Sequence, residues 1–135
     1  MKILPKQPSK LLRLALSDLE KAEQHDDYKV SMNAFHEPHE GKCIVCLAGS
    51  VMAFSLESKK EELRFPTYFP NNEDQLNALN DFSRGDAWLA ICSLKMDDEI
   101  NDVCDEYEFP DYEKYPTGFK LGITTMIDDL EKAGL

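Results

Sequence analysis

Fourteen consecutive residues, CIVCLAGSVMAFSL from Cys43 to Leu56, contain only Gly49, Ser50 and Ser55 besides apolar side chains. A helix drawn over them has no solvent face, and a helix that is apolar all round must be buried. At about 1.5 Å per residue it spans roughly 21 Å, short of the ~30 Å hydrocarbon core of a bilayer but enough to run through a small domain. Ala48, Gly49 and Ser50 let a neighbouring element approach closely, which accounts for a glycine where it costs about 1 kcal/mol against alanine. The rest of the chain must therefore wrap this segment. With 135 residues, 42% hydrophobic and 30% charged, and without a repeat, low-complexity tract or linker, it has the size and composition to do so as one domain spanning 1–135.

Upstream, SKLLRLALSDLEKAE from Ser9 to Glu23 sets Leu12, Leu16 and Leu19 on one face with Ala15 and Ala22 beside them. This is an amphipathic helix for which Ser9, after Pro8, is the expected N-cap. Tyr28, Val30 and Met32 alternate in an otherwise polar stretch, leaving room for one short β element near 28–32. After a segment holding Pro66 and Pro70, Asn71 or Asn72 is expected to cap a helix carrying Leu76, Leu79 and Phe82. Gly85 ends it, and Asp86 caps a buried helix, AWLAICSLK. Ile100, Val103, Cys104 and Tyr107 then follow at helical spacing, with carboxylates on the outer face and Pro110 as the stop. In the last segment Phe119, Ile123, Ile127 and Leu130 keep a helical period, while Phe119, Leu121, Ile123 and Thr125 alternate as a strand would. The ending IDDLEKAGL, with Gly134 as C′ residue, favours the helix. The expectation is a mainly α, single compact domain of about five helices around a buried central helix, 43–56.

Charge is unevenly placed. Lys and Arg number 15 against 26 Asp and Glu, a formal net charge of −11. Residues 1–64 hold ten of each sign, whereas 65–135 hold five basic and sixteen acidic residues. From Asp97 to Glu113 there are nine acidic residues and no basic one. That is the wrong sign for gripping a phosphate backbone, so direct nucleic-acid binding is disfavoured and a basic protein or nucleoprotein is the expected partner. Asp97, Asp98, Asp102 and Glu106 are the candidate partner-binding residues. With Tyr107, Phe109, Tyr112 and Tyr115 interleaved, the run invites a nucleic-acid-mimic reading; the plainer one is the solvated face of a helix followed by an acidic loop. No apolar run reaches 18 residues, and Pro5 and Pro8 interrupt the start where a signal peptide needs its apolar stretch, so a cytoplasmic protein without membrane contact is expected.

The sharpest local motif is His36-x2-His39-x3-Cys43-x2-Cys46, four ligands suited to zinc within eleven residues. Structural zinc sites usually separate their ligand pairs by a dozen or more residues so that the chain can wrap the ion, and here three intervene. Cys46 also lies among Val45, Leu47 and Ala48, where a cysteine behaves as a small core hydrophobe. Packing is therefore the favoured reading and no metal or other cofactor is expected. A redox reading takes Cys43 and Cys46 as a C-x-x-C pair near a helix N-terminus, but without the βαβ context it needs. Cys92 and Cys104 fall on apolar faces. P-loop, G-x-G-x-x-G, H-E-x-x-H and G-x-S-x-G patterns are absent, and no pair among the many carboxylates is singled out by spacing, so no catalytic residue is nominated and an enzyme is disfavoured.

LRLALSDLE from Leu12 to Glu20, Met32 and His36 in MNAFH, and CIVCLAGSVMA from Cys43 to Ala53 together resemble a family of small uncharacterised proteins of tailed phages and prophages. The likeness covers roughly the first 60 residues; Phe35 stands where relatives have Trp before the His, which keeps an aromatic. The resemblance brings no catalytic residues. It implies a small acidic accessory protein that binds a host component in the host cytoplasm, foremost an antagonist of a host defence system acting by protein binding. Two alternatives remain open: a sponge for a small nucleotide signal, seated in the helical core or at a homo-oligomer interface, and a zinc-binding or redox protein using the CxxC pair.

Overall fold

The computed structural model describes residues 3–32, 36–57, 69–83 and 112–135. In chain order they form helix α1 (Pro8–Gln24), strands β1 (Tyr28–Val30), β2 (His36–His39) and β3 (Lys42–Val45), and helices α2 (Leu47–Phe54), α3 (Glu73–Ser83) and α4 (Pro116–Lys132). The protein is mainly helical. The expected helices AWLAICSLK and Ile100 to Tyr107 lie outside the described residues. No helix of the described residues is long and apolar enough to cross a membrane.

The apolar run resolves into two elements rather than one helix over 43–56. Lys42–Val45 is the middle strand of a three-stranded sheet of order β1-β3-β2, Cys46 is the extended N-cap, and the buried helix is confined to Leu47–Phe54. A continuous apolar run satisfies a central strand as well as a buried helix, and the β-branched pair Ile44 and Val45 favours the strand. β1 runs parallel to β3, Tyr28 opposite Cys43 and Val30 opposite Val45, while β2 runs antiparallel, His36 opposite Val45 and His39 opposite Lys42. The expected β element at 28–32 is thus one edge of a sheet whose other two strands the polar and apolar flanks concealed. Glu40 (φ 49°) and Gly41 (φ 79°) form the two-residue turn of the β2–β3 hairpin, both in the left-handed region that a type I′ turn demands. Pro38, which lacks an N–H, sits on an edge strand, where such a residue is tolerated and blunts the edge.

α1 is the centre of the helical layer and packs on α2 and α4; α3 packs on α2. Its buried face is Leu11, Leu12, Ala15, Asp18, Leu19 and Ala22. Gln7, not Ser9, is its N-cap and Pro8 opens the helix, the position where a missing N–H costs nothing. Ser9 is buried one position inside, and its N–H reaches the Leu135 carbonyl at 3.4 Å. α4 is helical as its ending suggests: Phe119, Ile123, Ile127 and Leu130 are buried, and Leu121, which a strand would have put beside them, faces solvent. Gly134 (φ 78°) ends it in a Schellman motif, with Gly134 N–H donating to Glu131 O at 3.0 Å and Leu135 N–H to Leu130 O at 2.8 Å. Leu130 and Leu135 share the main apolar core with Leu4, Leu47, Met52, Leu76 and Leu79.

Candidate functional site

The polar groups with the most structure around them gather at the C-terminal half of α1. Asp18 occupies the buried face, three residues after Ala15 and four before Ala22, and is 1% exposed. It accepts a hydrogen bond from the Ser55 hydroxyl just beyond α2, and the Lys21 ammonium stands 3.5 Å away. One turn further, the two oxygens of Glu23 accept from the Tyr112 hydroxyl at 2.6 Å and the Lys120 ammonium at 2.8 Å. Burial, followed by the hydrogen bond and charge of Glu23 and the charge of Glu113, pushes the Tyr112 phenol well above the ordinary tyrosine range and keeps it a donor. The Tyr112 ring meets Phe119 edge-on at 5.5 Å. Glu113 turns the other way: its Oε1 accepts from the Ser31 hydroxyl at 2.9 Å and the Met32 N–H at 2.8 Å, closing the end of β1.

At the end of α1, His25, Tyr28 and Phe54 form a cluster of three rings with centroids 5.2 to 5.9 Å apart. Beneath it Cys43 packs with Ala22 and Val45. Burial, then Cys43 and Asp27, raise the Tyr28 phenol above its ordinary pKa. His25 Nδ1 accepts the Asp27 N–H at 3.1 Å, so this nitrogen orients the turn rather than a nucleophile. Ser55 and Asp18 supply a hydroxyl and a carboxylate without an imidazole between them. The arrangement holds elements together; it does not assemble the nucleophile, base and orienting group of covalent catalysis.

Cys43 and Cys46 are both buried and neither is in a disulfide. Cys43 belongs to the small cluster under the rings, whereas Cys46 is in the main core with its Sγ 3.9 Å from Asn80 Oδ1. The strand separates the two members of the C-x-x-C pair. The hairpin register spreads the other candidate ligands as well, His36 at the Val45 end and His39 at the turn. Among the described residues no group of three His, Cys, Asp or Glu side chains comes together as a metal site. Asp97, Asp98, Asp102 and Glu106 lie outside the described residues. An open hollow of about 580 Å³ lies at the start of α4, lined by Lys114, Tyr115, Pro116, Thr117 and Gly118.

Sequence reasoning missed Asp18, Glu23 and Glu113. Asp18 carried a local signal, a charge inside an apolar helical stripe. Glu23 and Glu113 did not, because their partners lie 81 to 97 residues away in the chain. Comparison of the chain with known protein families, with characterised proteins and with solved structures found no match.

Proposed function

We propose that the protein acts by binding, as a small acidic accessory factor whose second half engages a basic host protein or nucleoprotein. The observation that carries this reading is the charge asymmetry: ten acidic and ten basic residues up to position 64, then sixteen acidic against five basic, densest from Asp97 to Glu113. A concentration of one sign steers encounter with the opposite sign and repels polyanions. Tyr112 and Glu113, the last two residues of the acidic run, are tied to Glu23 and to Ser31 and Met32. The finer reading, an antagonist of a host defence system of the kind the phage-protein resemblance implies, rests on that resemblance.

The test is reversal of Asp97, Asp98, Asp102 and Glu106 to Lys, followed by binding kinetics with the protein that the native chain retains from host lysate. Association should slow by about tenfold or more at low salt, and the difference should shrink at 0.3 M salt, where charges beyond roughly 6 Å are screened. An unchanged association rate and salt dependence would reduce the acidic run to a solubilising face.

A further inference from the structure

We draw no further inference here: the strongest candidate, the open hollow at the start of α4 lined by Lys114, Tyr115, Pro116, Thr117 and Gly118, rests on a helix N-terminus with no buried polar side chain among these residues, and nothing in the structure shows what covers it.

Discussion

The Tyr112 hydroxyl donates to Glu23 at 2.6 Å across 89 positions of sequence, joining the last turn of α1 to the segment that leads into α4. Lys120 shares the same carboxylate at 2.8 Å, and Glu113, which follows Tyr112 in the chain, closes the end of β1. Two adjacent side chains thereby fasten one segment to a helix and a strand formed almost entirely from other parts of the chain.

Tyr112→Phe removes the donor and leaves the ring on Phe119. Because the bond is charge-assisted but Glu23 is partly exposed, the cost should be about 1 to 2 kcal/mol in urea unfolding. The same contact has a pH signature. The phenol's pKa is raised on folding, so its contribution is fully present below the unfolded value near 10 and is lost as pH rises toward the folded one. Native protein should therefore lose stability above pH 10 more steeply than Tyr112→Phe, measured as the thermal midpoint from pH 8 to 11. Tyr28, raised by burial, adds a background of the same sign to both proteins.

Asp18 and Ser55 should be coupled. Asp18→Ala takes the acceptor from a half-buried hydroxyl and Ser55→Ala takes one donor from a buried carboxylate, each costing about 1 to 3 kcal/mol. The double variant should cost less than the sum, with an interaction of about 0.5 to 3 kcal/mol in a thermodynamic cycle. Additive losses would mean that the two groups act separately.

Gly49→Leu should destabilise by about 1 to 3 kcal/mol, because Leu47 to Met52 are all buried and an added isobutyl group must displace neighbours. A neutral result in thermal unfolding would show that α2 does not lie in a close-packed interior.

The hairpin turn predicts opposite outcomes at adjacent positions. Glu40 holds φ 49°, where asparagine is at home, so Glu40→Asn should stabilise by about 0.5 to 1 kcal/mol. At Gly41 a Cβ would meet nothing within 4 Å, so the loss of about 1 kcal/mol expected for Gly41→Ala is conformational rather than steric. Chemical denaturation of the two variants measures both.

Elements whose residues face one way were legible in the sequence. The stripe through Leu12, Leu16 and Leu19, with Ala15 and Ala22 beside it, and the one through Phe119, Ile123, Ile127 and Leu130, each marked a helix, and Gly134 its end, although Leu16 is only half-buried and Leu11 belongs to the buried face. The Cys43 to Leu56 run gave burial but not the change from strand to helix at Cys46, since apolar continuity has no period to read. β2 was hidden because HEPH carries a proline and no apolar alternation; it is held by its register with β3 rather than by its own composition. The contacts of Glu23 and Glu113 were closed to any local pattern, because what they bind is fixed by the packing of α1 against α4.

The sheet also combines contacts of very different chain separation. β2 and β3 are joined by two residues and pair within ten positions of chain, so the hairpin can close on the microsecond scale of local contacts. β1 precedes both yet joins on the far side of β3, in parallel, and is then locked by a carboxylate more than eighty residues downstream. Its pairing closes a longer loop than the hairpin does, and its lock a far longer one. Substitutions in the Glu40–Gly41 turn are therefore expected to act on the folding rate, and those at Glu113 on the rate of unfolding.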